Sequence, residues 1–144
     1  MKAISPVIAT VIIVAVAIAI SIAVALWLTG IVGGFTTVEN LQITYAYAEK
    51  ITDDWRITLR VENKGTGTAT IDEVFINNRP IERTNITIRR PDNTSSPMPA
   101  SIDPGQSLSI EITLTGPGFT SGQQVEVKLH TASGKEYPKM VTLP

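Results

Sequence analysis

From Ala3 to Val38 the chain carries no Asp, Glu, Lys, Arg or His. A run of about 18 or more uncharged apolar residues is long enough to cross a bilayer as a helix. This run is longer. A helix of about 30 residues, up to the Gly33-Gly34 pair, would reach roughly 45 Å, whereas the hydrocarbon layer is about 30 Å thick. Spanning alone does not account for the excess. Every acid, and every base except Lys2, lies beyond the run, so the formal net charge of -1 averages two unlike segments.

Small residues recur within the run. Ala15, Ala19 and Ala23 form one stripe, and Ala17, Ser21 and Ala25 form another. At about 100° per residue the two stripes lie on nearly opposite faces. Small residues let helices approach closely where no hydrophobic effect separates helix from lipid. One stripe would serve a dimer; two opposed stripes suit a helix packed on several sides. A segment rich in Ala and Val also yields such repeats by composition alone. Pro6 fits the first helical turn, where its missing N–H is no loss, with Ser5 placed to cap. Trp27 falls where an interfacial aromatic is expected. Gly30, Gly33 and Gly34 signal an end or a bend, and Thr36-Thr37 continues as a polar connector.

From Leu41 the apolar period changes to two. Leu41, Ile43, Tyr45 and Tyr47 alternate with other residues, as do Trp55, Ile57, Leu59 and Val61. The same holds for Leu108, Ile110, Ile112 and Leu114, and for Val125, Val127 and Leu129. Such alternation marks strands with one buried face. Turn signals separate them at Asp53-Asp54, Asn63-Lys64-Gly65, Asn77-Asn78-Arg79-Pro80, Asp103-Pro104-Gly105, Gly116-Pro117-Gly118 and Ser133-Gly134-Lys135. Shorter strands fit Ile71–Ile76, Ile86–Ile88 and Met140–Leu143. About seven strands in a hundred residues point to an antiparallel sandwich, with a small barrel as the alternative. Pro91 to Pro99 reads as an exposed polar loop.

Motifs for chemistry are scarce. With no Cys, disulfides and thiol chemistry are excluded. The bases do not cluster as a nucleic-acid face requires. His130 is the one histidine; it falls at an outward position on its strand and reads as a solvated side chain, and no nucleophile-elbow motif accompanies it. Asp53-Asp54 and Asp72-Glu73 read as solvated carboxylates without metal-like spacing. Gly65-Thr66-Gly67 lacks the Lys-Ser/Thr pair of a phosphate loop, and Arg89-Arg90 reads as solvated. No catalytic residue, metal or cofactor is expected. The sequons Asn85-Ile86-Thr87 and Asn93-Thr94-Ser95 make Asn85 and Asn93 candidate N-glycosylation sites, the second within the polar loop.

The N-terminus admits three readings. One is a cleaved signal peptide ending near Ala23-Val24-Ala25, but the apolar stretch exceeds the usual core of such a peptide and continues beyond that point. Another is a single-pass anchor carrying an external binding domain that never polymerises, with Lys2 inside. The third is a filament subunit, which stores the helix in lipid and then moves it into a protein bundle.

Lys2-Ala3-Ile4-Ser5-Pro6-Val7-Ile8, followed by the unbroken apolar segment, closely resembles the N-terminal motif of archaeal type IV pilins. The specific match covers about seven residues. The resemblance implies cleavage by a prepilin peptidase between Lys2 and Ala3. It also implies extraction from the cytoplasmic membrane by an assembly ATPase and its membrane platform into a homopolymeric helical filament on the cell surface. The Gly-rich start of the archaellins is missing, which favours a non-rotating pilus. Val61-Glu62-Asn63-Lys64-Gly65-Thr66 and Asp103-Pro104-Gly105-Gln106-Ser107 resemble recurring turns of immunoglobulin-like adhesion domains. The expected protein is α+β: a leader of residues 1–2, an apolar helix over 3–35, a linker over 36–40 and an immunoglobulin-like sandwich over 41–144. The helix, from Val7 to Leu28 and through both small stripes, would carry polymerisation. The head would set surface properties, adhesion to a surface or cell among them.

Overall fold

The computed structural model describes residues 5–35 and 37–144; Lys2 and Ala3, the expected processing pair, lie outside them. The chain divides into two compact units, one ending at Thr37 and the other starting at Val38.

The first unit is the helix α1, Pro6–Phe35. Pro6 is its first residue, and the Ser5 carbonyl accepts the first helical hydrogen bond, from the Ala9 N–H at 3.0 Å. The helix continues through all three glycines and ends at Phe35.

The second unit is all-β. Its strands are β1 (Leu41–Ile51), β2 (Asp54–Asn63), β3 (Ala69–Ile76), β4 (Arg79–Pro80), β5 (Ile86–Arg89), β6 (Ser95–Ser96), β7 (Ala100–Ile102), β8 (Ser107–Leu114), β9 (Gln124–Thr131) and β10 (Glu136–Thr142). One sheet has the order β1-β2-β8-β5-β6 and the other β10-β9-β3-β4, with β7 also on β3. All pairings are antiparallel. Leaving out the three shortest strands gives A-B-E-D facing C-F-G, the order of a constant-type immunoglobulin domain. The protein is therefore α+β, a long apolar helix followed by an immunoglobulin-like sandwich. The seven strands read from alternation are present. The short strands β4 and β6 lie in stretches read as turn or loop, and β7 lies between the polar loop and the Asp103 turn, in residues given no element; all three are too brief to show a period.

Alternation builds the core. Ile57, Leu59 and Val61 of β2, Ile110 and Ile112 of β8, and Val125, Val127 and Leu129 of β9 are fully buried. With no disulfide, this apolar cluster joins the sheets.

Strand β1 departs from the expected phase. Its register runs Ile43 opposite Val61 and then Tyr45 opposite Arg60, leaving Thr44 as an extra residue. The Thr44 hydroxyl donates to the Arg60 carbonyl at 3.2 Å. A bulge of one residue turns every later side chain to the other face. Ala46 and Ala48 therefore pack against the core. Tyr45 and Tyr47, expected inside, stand outside.

The chain enters the sandwich over a clamp. Asn63 is fully buried, and its side-chain amide donates to the carbonyls of Gly67 and Ile102, both at 2.8 Å. Its Oδ1 accepts the Gly65 N–H at 2.9 Å. The Val38 carbonyl accepts the N–H groups of Thr66 and Gly67, and the Asn40 carbonyl accepts that of Lys64. The Asn63 carbonyl accepts the Gly105 N–H, and the Asn63 N–H donates to Gln106. The two immunoglobulin-like turns thus meet at Asn63. A Cβ on Gly65 would fall on the Val38 carbonyl oxygen and come within 2.7 Å of the Asn40 nitrogen. Overpacking against backbone costs about 1–3 kcal/mol. Gly65→Ala is expected to lower the melting temperature of the head by about 5–20 °C. Gly118→Ala, where nothing lies within 4 Å, serves as the control in the same thermal scan.

Candidate functional site

The strongest candidate is α1 itself. Between Pro6 and Val32 it is long and apolar enough to cross a membrane, and none of its most apolar window is buried. Val7 is 69% exposed, Trp27 67% and Leu28 49%. Ala15, Ala17, Ala19, Ser21, Ala23 and Ala25 are all exposed. No polar face relieves this, so the helix needs lipid or protein on every side.

Its few hydroxyls make no demand on water. Thr10 donates to the Val7 carbonyl at 2.8 Å, and Ser21 to the Ala17 carbonyl at 2.7 Å. Thr29 reaches the carbonyls of Ala25 and Leu26. Polar groups satisfied within their own helix are what an apolar surround requires. Ser21 can therefore lie in a close-packed stripe without a partner outside the helix.

The head offers polar clusters rather than a cleft with converging reactive groups. Among the described residues there is no group of three or more His, Asp or Glu able to hold a metal ion. His130 does point outward from β9, but it is not merely solvated. Its Nδ1 lies 2.6 Å from Asp72 Oδ1, and the ring meets Phe75 edge-on with centroids 6.2 Å apart. Asp72 is correspondingly a strand residue with a partner rather than a free turn carboxylate. The pair lies 58 positions apart in sequence and joins β3 to β9.

The bond to Asp72 raises the His130 pKa above its ordinary 6.5; desolvation opposes it, and the charges of Asp72, Glu136 and Glu73 reinforce it. A raised folded-state value means that the protonated ring stabilises the fold. The contribution is complete below the unfolded value of about 6.5 and is lost as pH rises through the folded one. As the one histidine, His130 gives a single ring titration by NMR. Its midpoint is expected above 6.5 and should fall back toward it in Asp72→Asn.

A second cluster surrounds Glu39, the first charged residue after the apolar run and one that sequence reasoning passed over. Its carboxylate accepts from Ser133 Oγ at 2.7 Å and from the Tyr137 hydroxyl at 3.2 Å, and its carbonyl accepts from Lys135 Nζ at 2.7 Å. Burial raises the Tyr137 phenol above its usual 10, with Glu39 adding to the shift. The entering chain is thereby tied to the β9–β10 hairpin as well as to the Asn63 turn.

The two sequons differ. Asn93 is exposed, with φ of 62°, in the tight turn closed by Arg90 and Thr94. Asn85 is half-buried and ends a 3-10 turn, Arg83–Asn85. The 91–99 stretch is mostly exposed as expected, but Met98 packs against the core.

No protein-family model and no curated protein matches the chain. Among solved structures, the apo PCuAC domain from PmoF1 has a TM-score of 0.50 at 12% identity, covering 74% of this chain and 98% of that one. This likeness is one of fold. The archaellum periplasmic stator protein FlaG from Sulfolobus acidocaldarius has a TM-score of 0.43 at 20% identity, covering 72% of this chain and 99% of that one. The Iho670 flagellar-like filament has a TM-score of 0.43 at 13% identity, covering 96% of this chain and 98% of that one. At those scores neither likeness carries weight for fold or function.

Proposed function

We propose that the chain is the structural subunit of an extracellular filament of the archaeal type IV pilus kind, polymerising through α1. The observation that carries this reading is a helix exposed and apolar on every side, longer than a bilayer requires. Before assembly it lies in the cytoplasmic membrane with Lys2 inside. On assembly, sister helices replace lipid around it. Each buried CH₂ contributes roughly 0.8 kcal/mol relative to water, so release of the helix into water is prohibitive without any covalent link. A head-to-tail arrangement that does not close on itself extends indefinitely.

Support for the pilus kind comes from the Lys2–Ile8 motif. On that reading a prepilin peptidase cuts between Lys2 and Ala3, and an assembly ATPase with its platform drives extraction. The opposed stripes at Ala15, Ala19 and Ala23 and at Ala17, Ser21 and Ala25 give neighbours close approach, and Val7 to Leu28 supply the packed surface. The head faces outward and sets surface properties, adhesion included; Asn93 is the better placed of the two sequons for a glycan. Peptide mass spectrometry of fibres sheared from cells tests this. Fibres should contain the intact α1 segment and begin at Ala3. A head recovered without α1, or only in membranes, would refute the filament reading.

A further inference from the structure

The outer face of the β1-containing sheet carries a row of aromatic and basic side chains outside α1. One row crosses four neighbouring strands: Tyr45, Arg60, Ser109 and Arg89. Strands in a sheet lie about 4.8 Å apart, so these side chains form one continuous strip. Beside Tyr45, along β1, stands Tyr47. The two rings stack with centroids 6.0 Å apart and planes 25° apart, and they are 43% and 45% exposed.

Two large aromatic rings held outside a sandwich call for a cause. Here it is the Thr44 bulge, without which the alternation would turn both rings toward the core. Bulges recur where a side chain must be re-aimed. Beyond Arg60, the cross-strand neighbour of Tyr45, opens a shallow hollow of about 290 Å³, lined by Arg60, Arg89, Arg90, Ser107 and Ser109. Arg89 is paired with Glu111 at 3.0 Å. Among the described residues, Arg60 and Arg90 have no ion pair to a carboxylate; Arg60 only approaches Ser107 Oγ, at 3.4 Å.

We infer that this face binds an acidic polysaccharide. A pyranose ring presents an apolar C–H face that lies flat on near-parallel aromatic rings. Guanidinium groups beside hydroxyls are matched to carboxylate or sulfate oxygens. The strip offers both, one strand apart, which is the spacing of a substituent from its own sugar ring or the next. Single-stranded nucleic acid also stacks on aromatic rings, but it carries a phosphate at every residue, whereas Glu49, Glu62 and Glu111 leave the arginines to match isolated anionic substituents rather than a continuous charged backbone. The inference does not depend on polymerisation.

The test is titration calorimetry on the full chain in detergent micelles, so that the face is read whether or not filaments form. Dextran sulfate, dextran and oligothymidylate are the probes. Dextran sulfate should bind and dextran should bind far more weakly. Tyr45→Ala, Tyr47→Ala and Arg60→Gln should each weaken dextran sulfate by about tenfold or more, equivalent to about 1.4 kcal/mol. Circular dichroism on each variant separates lost binding from lost folding. Undiminished binding by the tyrosine variants would reduce the face to ion exchange and overturn the inference. So would tighter binding of oligothymidylate, equal binding of dextran, or no binding of any probe.

Discussion

Replacing Val16 with Asp is expected to abolish filaments while leaving the subunit in the membrane. Val16 sits mid-helix and is 51% exposed. A carboxylate at a helix centre raises the cost of insertion by about 2.5–3.5 kcal/mol. The remaining Ile, Val and Leu side chains between Pro6 and Val32 favour insertion by about 4–8 kcal/mol in total, so the span survives. In a bundle the same carboxylate repeats in every subunit with no cation in the helix to pair with. An unpaired buried charge costs several kcal/mol each time. Membrane fractionation with electron microscopy checks both halves. Ala19→Asp, on one of the small-residue stripes, should behave alike. If Val16→Asp cells still carry normal fibres, α1 is not the polymerisation element. If the variant fails even to insert, the experiment is repeated with Val16→Asn, which keeps the polar disruption at a lower cost of insertion.

The largest loss of stability in the head is expected from Asn63→Ala. Asn63 has no exposed surface and makes three hydrogen bonds to backbone groups. Removing it strands the Gly65 N–H and the carbonyls of Gly67 and Ile102. Each buried group left without a partner costs about 1–3 kcal/mol, so a loss of about 3–5 kcal/mol follows. For a domain of this size the melting temperature should fall by roughly 15 °C or more. Asn63→Asp should not rescue it. An aspartate keeps the acceptor for Gly65 but sets a carboxylate oxygen against two carbonyls. Thermal unfolding followed by circular dichroism reads the result, and a shift of only a few degrees would show that the clamp does not hold the turns together.

Much of the architecture was legible because its signals are local. The absence of charge from Ala3 to Val38 exposes α1 without any knowledge of its partners. Strands β2, β8 and β9 alternate so regularly that their inward residues, among them Ile57, Ile110 and Val127, follow from the spacing. Strand β1 misled for a physical reason. One extra residue at Thr44 reverses the phase, and the Ala46 and Ala48 that replace the tyrosines inside are themselves apolar, so neither phase looks wrong. The pairing of His130 with Asp72 could not be read, because it depends on two strands meeting across 58 residues. Asn63 looked like a turn residue and is one. Its bond to Ile102, 39 residues away, needed the sandwich to become visible. The outward strip of Tyr45, Arg60, Ser109 and Arg89 was hidden twice over, by the bulge and by its assembly from four strands.

Electron cryomicroscopy of sheared fibres bears most directly on the central claim. A solid axial core is expected, in which the Pro6–Val32 helix of each subunit is intact and touches sister helices on several sides, with no lipid between them. A fibre whose core lacks this helix, or whose helices each stand in lipid without contact, would contradict it.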